Sequence, residues 1–188
     1  MAVSETAILR KIKGANIFVD CTVPDSYTPP TLAAGVPAGG TDVGATIGES
    51  IFNYNATIEL VDVEQSAAKI APHVTEEAIS MTFSMAEVDV DNLVFHLGQT
   101  FSYVEGDFSV MPLGGYIDVT GHCVACVAEK ANDPGKYYGG MIYSAYTDGD
   151  RAVRHKRGEV SPVEVTLMGI ALLSRDAGDQ LGQYFEMT

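Results

Sequence analysis

Residues 51–63 read IFNYNATIELVDV, and the fold turns on how they alternate. Phe52, Tyr54, Ala56, Ile58 and Leu60 take every second position, with Asn53, Asn55, Thr57 and Glu59 between them. A two-residue period belongs to a strand with one face in an apolar core and the other in water. Each large apolar side chain buried contributes about 1.5–3 kcal/mol, so the apolar face sets the register. On this reading Asn53→Leu is tolerated better than Ile58→Asn.

Just upstream, residues 41–50 read TDVGATIGES. Gly44 and Gly48 invite comparison with a phosphate-binding loop, G-x-x-x-x-G-K-[ST], which opens a helix. Here the glycines are one residue too close, Glu49 stands where the lysine belongs, and a strand follows. A carboxylate repels phosphate, so spacing, charge and context all argue against that use. The stretch reads instead as a turn that delivers the chain into the strand, with Gly44 and Gly48 allowing left-handed geometry.

Working outward, residues 16–23 (NIFVDCTV) suit a first strand. Residues 24–50 are rich in Pro, Gly, Thr and Ser, too long for an ordinary loop and too weakly charged for a solubilising linker. They are expected to form a long arm that becomes ordered against another surface. Residues 64–74 are irregular; residues 76–85 alternate again, with Ile79, Met81, Phe83 and Met85 on one face. Val90, Leu93, Val94 and Leu97 then follow helical spacing, with Asp89 or Asp91 as cap and Gly98 as stop. Strands are expected over 116–129, bulged at Gly121, over 137–147 and over 163–173. The polar tail, 174–188, is open between a mobile segment and one anchored by Leu181, Tyr184 and Phe185. This makes a single, mainly β domain over 1–188: a β-sandwich or barrel with one short flanking helix and a long extended loop.

The 188 residues carry a formal charge of −14, with a pI near 4.4. Non-specific affinity for nucleic acid comes from Lys and Arg on phosphates, so this chain is not built to wrap it. Contact with nucleic acid that must not stick remains compatible. Between Lys13 and Lys130 the one basic residue is Lys69. The others gather at Arg10, Lys11 and Lys13 and at Arg151, Arg154, Lys156 and Arg157. Such segregation suits one surface meeting the opposite surface of a copy, or two solvated faces. The opening MAVSETAILRKIKG has its basic residues after a short apolar patch, the reverse of a secretory signal. The apolar run 165–173 is too short to span a membrane. Cys21, Cys123 and Cys126 form no disulfide framework and read as reduced thiols of a chain made in a cytoplasm.

Candidate chemistry is sparse. Cys123-Val-Ala-Cys126 lies beside His122, but zinc needs four ligands and no second pair is present. Residues three apart on a strand also face opposite ways, so these cysteines read as packing residues. His73, His96, His122 and His155 fall in no ligand spacing, and no G-x-S-x-G occurs. No catalytic, cofactor-binding or metal site is assigned, and the chain does not read as an enzyme. The run RAVRHKRG reads as a subunit contact or a solvated hairpin. A rival reading is an acidic β-sandwich module binding carbohydrate or a host surface through Tyr137, Tyr138, Tyr143 and Tyr146. A hydrolase with a scattered acid pair is a distant third.

The segments TDVGATIGES, ATIELVDVEQS, TFSMAEVDVDNLVFHLG and VEVTLMGIALLSRD occur in an order that resembles the major tail tube proteins of long-tailed bacteriophages. Gly44, Ala45, Thr46 and Gly48 match a G-A-T-x-G-like turn, and Val63, Glu64, Gln65 and Ser66 a V-D-Q-S-like segment. Met85, Glu87, Asn92 and Leu93 match an L-x-E-x-x-x-x-N-L-like helix start. Glu64 replaces the usual aspartate and Met85 a leucine. The resemblance covers roughly residues 44–176. It implies a β-sandwich whose copies form hexameric rings, stacked into a hollow tube in the virion tail. Double-stranded DNA passes through transiently, and the further partners are tail terminator, tape measure and tail tip proteins, with no membrane and no cofactor. The tube of a contractile tail or of a secretion machine shares that fold. Under the resemblance Glu59, Asp62 and Asp118 are candidates to line the lumen. Thr41, Asp42, Gly44, Thr46 and Gly48 would lie in the arm that reaches a neighbouring subunit or ring. Arg151, Arg154 and Arg157 would meet acidic surfaces of neighbours.

Overall fold

The computed structural model describes residues 14–61, 71–86, 89–97, 102–113, 121–148, 152–153 and 162–188. The early strands are β1 (Asn16–Val19), β2 (Leu32–Ala33), β3 (Val36–Pro37), β4 (Thr41–Asp42), β5 (Thr46–Val61) and β6 (Ala71–Met85). The helix α1 (Val90–Leu97) follows. Then come β7 (Tyr103–Glu105), β8 (Phe108–Val110), β9 (His122–Glu129), β10 (Tyr137–Asp148), β11 (Val163–Gly169) and β12 (Gly182–Glu186). Among these residues the main sheet is antiparallel, in the order β4-β1-β9-β10-β11-β6-β5, with β12 also paired to β10. The β2–β3 and β7–β8 pairs are small separate hairpins.

The sheet buries both faces. Along β1, β9 and β10 alternate residues enter two different apolar clusters. Ile17, Val19, Val124 and Ile142 join Ile79, Met81, Phe83, Met85, Val163, Val165 and Leu167 on one side. Phe18, Cys123, Ala125, Val127, Met141 and Tyr143 face the other, with Phe185. The four residues expected to share a face of β6 are all buried.

Helix α1 caps the first cluster. Asp89 is its cap: Oδ1 accepts the Asn92 N–H at 2.7 Å, and the Asp89 carbonyl accepts the first helical bond, from Leu93. Phe95 and His96 sit deepest, while Val90, Leu93, Val94 and Leu97 are only half-buried, so the helix is rolled away from its expected apolar stripe. Asn92 Nδ2 donates to the Val43 carbonyl at 2.9 Å and ties the helix to the β4–β5 crossover.

Of the two alternatives for the tail, the described residues show the anchored one: β12 pairs with β10 over Tyr138–Ile142, and Phe185 is buried. Apolar positions as sparse as Leu181 and Phe185 suffice because the strand need only add to an existing edge. The stretch expected to form an arm ordered against another surface is, among the described residues, ordered against this chain's own sheet. It lies as a strap over its own sheet, with Val23 and Leu32 packed on the second cluster. Its anchor is 150 positions away. Arg175 donates to the carbonyls of Pro24 and Asp25, Tyr27 N–H donates to Asp179 Oδ2 at 2.7 Å, and Tyr27 OH to the Ala177 carbonyl at 2.7 Å. Residues 46–50 belong to β5 itself.

Candidate assembly surface

The most unusual surface is the far half of the β5–β6 hairpin. β6 is paired to β11 only over Ser80–Met85, whereas β5 and β6 stay paired out to Val61 and Ala71. Beyond the sheet they form, among the described residues, a ribbon of two strands with no third beside it, roughly 25 Å long at the usual rise of about 3.3 Å per residue. A lone pair of strands is marginal in water.

Its two faces differ. Phe52 opposes Met81 and Tyr54 opposes Ile79; further out Ile58 opposes Val74 and Leu60 opposes Pro72. Between Thr57 and Ile58 the register slips by one residue at Thr75. The bulge keeps Val74 on the apolar face, which it would otherwise leave. So the apolar stripe runs on from the core, but its burial stops. Met81 is fully buried and Ile79 nearly so, while Tyr54, Ile58, Leu60 and Val74 are 59%, 60%, 50% and 46% exposed. This corrects the expectation that the whole stripe is interior: the period is right, but among the described residues nothing covers its outer half. Tyr54 OH donates to Glu77 Oε1 at 2.6 Å, which pins the ring and raises the phenol's pKa. A hollow of about 350 Å³ at the ribbon's base is lined by Tyr54, Glu77, Ile79, Leu181 and Gly182.

The ribbon also has an open edge. Among the described residues β5 pairs only with β6, which leaves the other edge of a 16-residue strand unpaired. Such an edge is a template for another chain. The polar face carries Asn53, Asn55, Thr57 and Glu59, with His73 opposite Glu59 and Glu76 opposite Thr57.

The residues singled out from the sequence fall as follows. Thr41 and Asp42 are exposed on β4, the short strand at the opposite end of the sheet. Asp42 Oδ1 accepts the Gly44 N–H at 2.9 Å, while Val43 is buried and its N–H donates to the Ile17 carbonyl at 3.1 Å. Gly44 and Gly48 both adopt left-handed backbone, φ +82 and +83; Gly44 lies in the turn into β5 as expected, whereas Gly48 lies within β5, where the register against β6 shifts between Ile47 and Ile51. Thr46 Oγ1 donates to the Ala15 carbonyl at 3.4 Å. Glu59 is exposed on the ribbon. Asp62, Asp118, Arg151, Arg154 and Arg157 lie outside the described residues, as do the basic residues at 10–13 and the expected strand residues 116–120.

The tyrosines do not form an exposed platform. Tyr143 is buried at the centre of the second cluster, and Tyr137, Tyr138 and Tyr146 are half-buried. Cys123 and Cys126 face opposite sides, and burial pushes the Cys126 thiol up to about 11. Sequence reasoning missed that His122 Nδ1 meets Asp20 Oδ1 at 2.7 Å and that Cys21 lies against Cys123. A bulge at Asp20 creates both contacts, and no residue pattern announces it. Among the described residues no group of acidic, His or Cys side chains could hold a metal, and no helix is long and apolar enough to cross a membrane.

A scan against protein-family models finds no match to this chain, and neither does a search of curated proteins.

Proposed function

We propose that this chain is a structural subunit that assembles with copies of itself, through the β5–β6 ribbon, into the stacked rings of a hollow phage tail tube. The observation that carries this reading is the apolar outer half of the ribbon beside an open strand edge. A free monomer would expose both to water, and ring closure would cover them. The sheet with both faces buried is compatible with the β-sandwich that the resemblance implies. With the strap lying on its own sheet, the reaching element of the assembly is the ribbon.

In such a ring six copies at −14 would carry −84 formal charges. A basic wall would hold each passing phosphate, because contacts add along the DNA; an acidic wall would not. At physiological salt the repulsion is screened beyond about 8 Å, so DNA passes with a film of water and counterions. Arg154 and Arg157 would meet acidic surfaces of the next subunit, and reversing both charges should weaken stacking most at low salt.

The test is negative-stain electron microscopy with analytical ultracentrifugation across a concentration series. Hollow rings or tubes from the wild type, lost in ribbon variants that keep the monomer's melting temperature, are the expected result. A wild type that stays monomeric at every concentration, with Tyr54 open to solvent quenchers, would overturn the reading.

A further inference from the structure

In the β1–β9 ladder Ile17 pairs with Cys126 and Phe18 with Ala125. Continued, that register would set Asp20 opposite Cys123 and turn Cys21 to the far face. It does not continue. Asp20 adopts a left-handed backbone, φ +57, the strand gains a residue, and the Cys21 N–H donates to the Cys123 carbonyl at 3.0 Å. Cys21 thereby returns to the face of Phe18 and lies opposite Cys123. Opposed residues in a hydrogen-bonded antiparallel pair have Cα atoms about 5.5 Å apart, inside the span that a disulfide bridges. Both side chains are buried in one cluster, where the Cys21 thiol donates to the Phe18 carbonyl at 3.6 Å. Cys126 points to the other face.

We propose that Cys21 and Cys123 form an oxidative modification site, a dithiol that reacts with a low-molecular-weight disulfide and closes to a cross-strand disulfide. The bond would staple the strap to β9, and the proposal does not rest on the assembly reading. The neighbouring Cys123 thiol draws the Cys21 thiol down, while Cys21 and burial push Cys123 up, so Cys21 is the attacking thiolate. Its sulfur attacks one sulfur of the small disulfide, forms a mixed disulfide and expels one small thiolate. That change removes the thiolate charge beside Cys123, which had favoured its protonated form. Cys123 gives its proton to solvent, attacks the Cys21 sulfur and expels the second small thiolate. Two protein thiols are oxidised, one small disulfide is reduced to two thiols, and nothing else is consumed.

Access is governed by the strap. A Cβ added at Gly40 would sit 3.1 Å from the Cys21 sulfur, so the backbone there covers it closely. Closure therefore requires the strap to lift locally, and its rate reports that opening. In a reducing compartment the pair is packing; in an oxidising one it becomes a covalent tie across about 100 residues of chain.

The experiment incubates the folded, full-length chain with oxidised glutathione, quenches with acid, then unfolds and alkylates. Intact mass and peptide mapping count the three thiols. The expected outcome is a single alkylatable thiol, Cys126, a linked Cys21–Cys123 peptide, and a raised urea midpoint. Cys123→Ala should stop at a glutathione adduct on Cys21, Cys126→Ala should close at the wild-type rate, and Asp179→Asn, which loosens the strap, should close several-fold faster. The proposal is overturned if the native chain keeps all three thiols while urea-unfolded chain oxidises in the same time. A link mapped to Cys126, or a wild-type adduct that never closes, overturns it equally.

Discussion

The Tyr143 hydroxyl donates to Asp179 Oδ1 at 2.6 Å, and through this bond one face of the sheet holds the two segments that cover it. Asp179 Oδ2 takes the Arg175 guanidinium at 2.7 Å and the Tyr27 N–H, and the guanidinium lies 3.9 Å over the Tyr143 ring. Both charged side chains are 7% exposed, so solvent screens the pair little. Burial pushes the Asp179 carboxyl up, but the bonds from Tyr143 and Tyr27 and the Arg175 charge outweigh it and hold the carboxyl below its ordinary value. A depressed folded value stabilises the protein fully above the unfolded carboxylate range and is lost as pH falls through the folded value. We predict that Asp179→Asn costs about 3–5 kcal/mol at neutral pH, because it strands a buried guanidinium. We also predict that the penalty shrinks as pH falls below the ordinary carboxylate range. Urea denaturation across that range checks both; a penalty independent of pH would remove Asp179 as the anchor.

The ribbon separates folding from association. Ile58 and Leu60 are largely exposed, so Ile58→Asp or Leu60→Asp should change monomer stability by no more than about 0.5 kcal/mol. Met81→Ala, on the same stripe but fully buried, should cost about 2–5 kcal/mol. The prediction is that the two aspartates abolish self-association while leaving thermal melting unchanged. Sedimentation beside calorimetry decides it, and aspartate variants that associate like wild type would discharge the ribbon from assembly.

The contrast shows what was legible in the sequence. The alternation from Phe52 to Leu60 correctly announced a strand and its faces, because period is a local property. Whether a face is covered depends on which strand lies alongside, and β11 ends its pairing at Ser80. The same limit applied to the strap. Proline, glycine and threonine in 24–50 describe backbone that is not helical and not a long strand, whether it reaches out or folds back. The deciding groups, Arg175 and Asp179, are remote and looked like ordinary tail charges. As for the candidate site, the left-handed turn at Gly44 could be read ahead, whereas the open β5 edge among the described residues required the full strand order.

The cap of α1 offers a compact check on a local reading that left two aspartates open. Asp89 Oδ1 holds the Asn92 N–H, so Asp89→Ala should cost about 1 kcal/mol and Asp89→Asn very little. Because Asn92 also holds the Val43 carbonyl, the Ala variant should loosen the β4–β5 crossover as well. Amide hydrogen exchange at Val43 and Ala45 would report this; protection unchanged in Asp89→Ala would mean that the cap does not steady the crossover.

Glu59 bears on the lumen. It is exposed on the polar face of the ribbon, opposite His73 and near Glu76, while the apolar face is the one that would meet a neighbour. If rings bury the apolar face, the polar face is left to water and to whatever passes. A lysine there would turn each ring's contribution from repulsion to attraction, and retention would grow with the number of rings because phosphate contacts add along the duplex. We predict that Glu59→Lys leaves tube formation intact but makes tubes retain double-stranded DNA at low salt and release it steeply as salt rises, whereas wild-type tubes retain none. Co-sedimentation of assembled tubes with linear DNA over a salt series is the measurement. Retention equal to wild type at every salt would take Glu59 out of the channel and turn the polar face outward. Retention that ignores salt would point to trapping by misassembly instead.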